Sequence, residues 1–167
     1  MKKRLVLSIA ALVPLLIVST ARGDKGGNGK DGGNPEGSWL FTVTIPGYGS
    51  FQGIETYSAG GGYTEADQLS FSPFSVASTG HGAWQSTGEN KFLLTYLNLT
   101  FDGFNTGKPT GMLKVRQITT IGRNGNSYSG SGDFTYYDLN GNAIPSISGT
   151  FTITAQRILV QAPAQTH

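Results

Sequence analysis

Residues 38–45 read Ser-Trp-Leu-Phe-Thr-Val-Thr-Ile. Trp39, Phe41, Val43 and Ile45 fall on one face of an extended chain, and Leu40, Thr42 and Thr44 on the other. Side chains alternate across a strand, so this is the pattern of a half-buried β-strand. Near the other end of the chain Ile147, Gly149, Phe151, Ile153, Ala155 and Arg157 share one face, against Thr150, Thr152, Thr154 and Gln156. Threonine is β-branched and tolerates water, which suits the outside of a sheet. Set antiparallel with Trp39 opposite Arg157, Phe41 meets Ala155, Val43 meets Ile153, Ile45 meets Phe151 and Gly47 meets Gly149. Both apolar sets then share one inner face, and a one-residue slip would turn one of them to water. A first and last strand paired in this way close the sheet on itself.

The residues between carry the same signal. Alternating stretches cover 51–58, 62–66, 81–87, 91–101, 111–121 and 127–137, and the last strand is expected within 144–159. Turn residues separate them: Pro46-Gly47, Gly60-Gly61-Gly62, Asn124-Gly125 and Asn140-Gly141. No segment sustains a helical period. Eight sequential strands predict an all-β domain, a single antiparallel up-and-down barrel, with a two-sheet sandwich as the competing arrangement. Closure would remove both exposed edges. Composition agrees: 25 of 167 residues are Gly and only 13% are charged, which excludes a coiled coil.

The flanks read differently. Lys2-Lys3-Arg4, a 14-residue apolar run over 5–18 and the small residues Ser19-Thr20-Ala21 form the layout of a signal peptide, expected over 1–23 and cleaved after Ala21 or Gly23. The run contains Pro14 and falls short of the ~20 residues of a spanning helix, so no membrane span is expected after cleavage. Residues 24–37 are Gly-rich and read as a flexible linker, 38–160 as the barrel domain and 161–167 as a disordered tail. This places the protein outside the cytoplasm, secreted or periplasmic, and stable without disulfides, since the chain has no Cys. Four of its twelve basic residues lie in the leader, leaving eight against ten acidic ones. That balance gives no basic stripe and excludes nucleic acid as an expected partner.

Gly37-Ser38-Trp39 resembles the Gly-x-Trp of lipocalins, and Arg157 resembles the arginine that lies across that tryptophan. The resemblance implies a calycin-like barrel whose floor is closed by Trp39 and Arg157. Gly80-His81-Gly82-Ala83-Trp84, with Phe101-Asp102 and Leu113-Lys114-Val115-Arg116, is similar to secreted bacterial calycin-like barrel proteins. In size these are like allene oxide cyclase-type and dirigent-type barrels. That likeness implies a small apolar ligand or substrate held in the lumen, and it assigns no catalytic residue.

No H-E-x-x-H, C-x-x-C, P-loop or G-x-S-x-G is present. With no Cys and one internal His, neither a metal site nor a cofactor is expected. The chemically distinctive residues are Glu55, Glu65, His81, Trp84, Tyr96 and Arg116, the candidate ligand-binding set. His81 and Trp84 have opposite parity, so they face opposite ways unless a bulge at Gly82 re-aims one. Arg116 enters the lumen if Met112 and Ile118 point inward, and lies outside if Leu113 and Val115 do. Inside, it would need Glu55 or Glu65 as a partner.

The stretch 91–101 is apolar on both faces. Its second face is expected to be covered by the apolar loop 68–78 with Leu69, Phe71, Phe74 and Val76, or to serve as a homo-oligomer surface. Asn98-Leu99-Thr100 fits a glycosylation acceptor but lies mid-strand.

The expected function is an exported barrel that binds a small apolar or amphipathic ligand. Two alternatives stand beside it. One is a cofactor-free cyclase or isomerase using His81 and a glutamate as acid and base. The other is a structural or adhesive envelope protein with a solid core. The balance of these readings favours a non-enzymatic role.

Overall fold

The computed structural model describes residues 33–72, 75–103 and 106–163. The expected signal peptide, residues 24–32 of the linker, Phe74 and residues 164–167 lie outside them. The strands are β1 (Gly37–Ile45), β2 (Gly49–Tyr57), β3 (Gly62–Asp67), β4 (Phe71–Ser72), β5 (Ser75–Ala77), β6 (Gly80–Gly88), β7 (Lys91–Phe101), β8 (Pro109–Ile121), β9 (Ser127–Tyr137) and β10 (Gly149–Arg157). Eight of them close into an antiparallel barrel in the order β1-β2-β3-β6-β7-β8-β9-β10, with β10 returning to β1. The short strands β4 and β5 form a hairpin outside this ring, and β5 pairs with the end of β7 beyond the last partner of β6.

The closing register is the one expected from the sequence. Trp39 lies opposite Arg157, Phe41 opposite Ala155 and Val43 opposite Ile153, and the ladder ends at Thr44 and Thr152. Trp39, Phe41, Val43, Phe151, Ile153 and Ala155 are all buried, while Thr150, Thr152 and Thr154 face out. The last strand is shorter than expected. Residues Pro145–Ile147 form a 3₁₀ turn, and Ile147 is half exposed rather than on the inner face. Pro145 accounts for this, because its fixed φ and missing N–H suit the first position of a helical turn better than a ladder.

The glycine content has a packing reason. An eight-stranded barrel leaves little room inside, so large inward residues need small ones across the strand pair. Phe41 faces Gly53, Phe151 faces Gly132 and Phe134 faces Gly149. A Cβ at Gly53 would stand 2.7 Å from Phe41 Cε1, and one at Gly132 would stand 2.5 Å from Phe151 Cζ. These rings therefore occupy the volume that side chains on their partners would need.

One end of the barrel is solid. Trp39, Tyr57, Tyr63, Phe92, Ile121 and Tyr128 are buried there, with edge-to-face contacts such as Trp39–Tyr128 and Tyr57–Phe92, both at 5.1 Å between centroids. The guanidinium of Arg157 lies 4.1 Å over the Trp39 ring, as the resemblance to lipocalins implied. Residues 33–36, expected to belong to the flexible linker, pack beneath this floor instead. Pro35 is buried and its carbonyl accepts the Trp39 indole N–H at 2.7 Å. Arg157 also donates to the carbonyls of Asn34, Glu36 and Gly125. It thus ties the segment before β1 to the turn between β8 and β9.

Arg157→Ala is expected to cost about 2–3 kcal/mol, from the lost stacking and the lost charge-assisted hydrogen bonds. Hydrogen exchange should show early loss of protection at the Trp39 indole and over 33–36. Unchanged protection there would show that the arginine does not hold the segment.

The apolar loop does not cover the outer face of β7. Leu69 turns toward the open end of the barrel, while Leu93, Leu97 and Leu99 remain exposed. The loop follows the β5–β7 pairing, which fixes it at the strand's end and not on its flank.

Candidate functional site

The open end is formed by the β1–β2 turn, the end of β3, the end of β7 and the β9–β10 connection. Inside it lies a chamber of about 80 Å³, walled by Phe41, Val43, Tyr96, Val115, Phe134 and Phe151 among others. Its polar wall groups include Asp67, Ser70, Asn98 and the hydroxyls of Tyr96 and Tyr136. The chamber continues into a vestibule of about 560 Å³, which shares Ile45, Leu69, Phe134 and Tyr136 and adds Tyr48, Tyr137, Ile144 and Asp102. A mostly apolar concavity with a few fixed polar groups is the usual form of a small-molecule site.

The expected site residues divide between inside and outside. Glu55 and Glu65 point into the barrel as cross-strand neighbours on β2 and β3, and each is almost fully buried. The Glu55 carboxyl sits below the chamber in a cage of phenols, accepting from Tyr63 at 2.8 Å, from Tyr57 at 3.4 Å and from Tyr128. Burial pushes it up to about 7, against the opposing pull of those hydroxyls. Glu65 accepts from Asn98 Nδ2 at 2.7 Å, and burial pushes it, too, up to about 7. Tyr96 lines the chamber, and burial holds its hydroxyl well above the usual range, so it stays protonated.

Of the six expected residues only Tyr96 walls the chamber; Glu55 and Glu65 lie inside the barrel but outside its lining, and the other three belong elsewhere. His81 faces solvent on β6, opposite the outward Leu97. No bulge interrupts β6 at Gly82, so strand parity holds and Trp84 points inward. Trp84 serves the floor, packing edge-on against Tyr57 and Phe92 and donating its indole N–H to the Ser58 carbonyl at 3.1 Å. Arg116 lies outside because Val115 is buried in the core, and it pairs with Asp133 on β9 through an Nε–Oδ1 hydrogen bond of 2.9 Å. Among the described residues, neither glutamate therefore has an arginine partner in the barrel. With His81 outside, the acid–base pair expected for a cyclase does not assemble.

Asp67 and Asn98 belong to the chamber wall, although the sequence points to Asn98 only as a glycosylation acceptor and not to Asp67. Each had a signal. Asn98 continues the inward series Phe92, Leu94 and Tyr96 on β7, a polar residue followed by Thr100 on an otherwise apolar stripe. Asp67 continues Tyr63 and Glu65 on β3. Its Oδ1 accepts from the Ser70 N–H at 2.8 Å and the Ser70 hydroxyl at 3.0 Å, and burial raises its pKa.

Comparison with protein-family models, curated proteins and solved structures finds no match to this chain.

Proposed function

We propose that the protein is an exported barrel that takes a small apolar or amphipathic ligand through its open end. The observation that supports this most directly is the chamber with its vestibule. A barrel of this size can fill its interior with side chains, as the floor half does here, yet the upper half keeps a connected, mostly apolar concavity. The lipocalin-like floor of Trp39 and Arg157 fits a barrel sealed at one end and loaded from the other. The leader at 1–23 supports export, and the mass of the mature chain recovered outside the cytoplasm tests it.

Ligand uptake is tested by titrating the purified barrel with the neutral apolar dye N-phenyl-1-naphthylamine. Saturable fluorescence enhancement is expected, with a dissociation constant on the order of micromolar. Leu113→Trp, which fills the chamber, should remove most of the enhancement without lowering the melting temperature. A wild-type barrel that leaves the dye dark overturns the proposal and returns the envelope-protein alternative to first place.

A further inference from the structure

We infer that the chamber selects a protonated amine carried on an apolar body, with the ammonium group seated at Asp67 and Asn98 and the Glu65 carboxyl behind them. The inference rests on the ligand-binding reading above and names the chemical class of the ligand.

The first support is a pair of orphaned acceptors. Glu65 Oε2 and Asn98 Oδ1 are buried and have no hydrogen-bond partner, and each residue is only 3% exposed. Both amide hydrogens of Asn98 are already used, one toward Glu65 Oε1 and one toward the Ser78 carbonyl at 2.9 Å. With Glu65 ionised, what the site lacks is a donor. Unpartnered buried acceptors cost about 1–3 kcal/mol each, so a group that supplies donors there gains affinity.

Charge separates the classes of donor. Asp67 stands in the chamber wall, Asp102 in the vestibule wall, and Glu65 behind Asn98. Among the described residues no Lys, Arg or His lines either space. The basic residues of β6 and β8, His81, Lys114 and Arg116, are in the wall of neither space. Burial raises both Glu65 and Asp67, the condition of carboxyls that lack a counter-cation. A carboxylate ligand would be repelled. An alcohol could satisfy the acceptors but not the charge, whereas an ammonium group satisfies both. The rings of Phe41, Tyr96, Phe134, Tyr136 and Phe151 around the chamber add faces for cation–π contact. The sizes agree as well: the inner chamber of about 80 Å³ suits a small head group, and the vestibule of about 560 Å³ suits the body.

The test is calorimetric titration at neutral pH with three matched probes: 4-phenylbutylamine, 4-phenylbutanol and 4-phenylbutyrate. The amine is expected to bind at least about tenfold more tightly than the alcohol, and the carboxylate most weakly. Asp67→Asn and Glu65→Gln preserve shape, remove the charge, and should each narrow the gap by weakening the amine more than the alcohol. An alcohol that binds as well as the amine overturns the inference and leaves the apolar-ligand reading standing. Binding of none of the three removes both. The wild-type ranking decides the matter even if a variant fails to fold.

Discussion

Trp39→Ala is expected to destabilise the barrel by about 3–5 kcal/mol, the range of large aromatic truncations in a close-packed core. Trp39 is fully buried at the one place where the ring of strands closes. Its indole carries the guanidinium of Arg157 on one face, meets the edge of Tyr128 and donates to the Pro35 carbonyl. Alanine would leave a cavity bounded by two strands, the turn before β9 and the segment 33–36, none of which can collapse without breaking its own pairing. Urea denaturation followed by circular dichroism measures the loss, and Trp39→Phe should recover part of it by refilling the volume without the N–H. A cost below about 1 kcal/mol would show that the floor is not sealed by this ring.

Stability is expected to fall as pH rises from about 4.5 to about 7, the reverse of the usual behaviour of acidic groups in salt bridges. Glu55 and Glu65 titrate near 4.5 when exposed and near 7 in the barrel, in both cases chiefly because burial disfavours the charged form. Between these values the folded chain binds more protons than the unfolded one, so each rise in pH favours unfolding. The contribution is complete below 4.5 and is lost as pH passes through about 7. A shift of this size corresponds to roughly 3 kcal/mol for one carboxyl. Asp67, also raised by burial, acts in the same sense. Asp102 and Asp138 are lowered by their hydrogen bonds, so they act in the opposite sense, but below the ordinary carboxyl range. Melting temperatures across this window measure the slope, and Glu55→Gln should flatten it because the amide cannot ionise. A wild-type melting temperature that rises over the same window would show that these carboxyls are charged in the folded state.

The phenol cage around Glu55 also explains why a carboxyl is tolerated so deep in the barrel. Tyr57, Tyr63 and Tyr128 are each held well above their usual range by burial, so they remain donors throughout that window. They come from β2, β3 and β9, and only barrel closure brings β9 to the others.

The sequence alone determined the eight strands of the ring, the closing register and the Trp39–Arg157 pair at the floor, while the hairpin of β4 and β5 lies in a stretch that reads as a loop. Side-chain alternation is a local property with a period of two, and an antiparallel pair keeps a constant sum of residue numbers, so Trp39 and Arg157 on matching apolar faces suffice to align β1 with β10. Local pattern could not decide the strands that carry mixed residues on both faces. On β6 and β8 parity offers two equal choices, and the inward packing of Trp84 against the core and the burial of Val115 send His81 and Arg116 to solvent. The same limit hid Asn98, whose partner Glu65 lies 33 residues away in sequence and meets it only through the folding of β3, β6 and β7 together. The packing of 33–36 beneath the floor and of Leu69 at the mouth depends on surfaces that exist only once the barrel has closed. Whether the lumen was open or filled had the same cause: it follows from the sizes of side chains facing one another across the barrel, which only closure brings together.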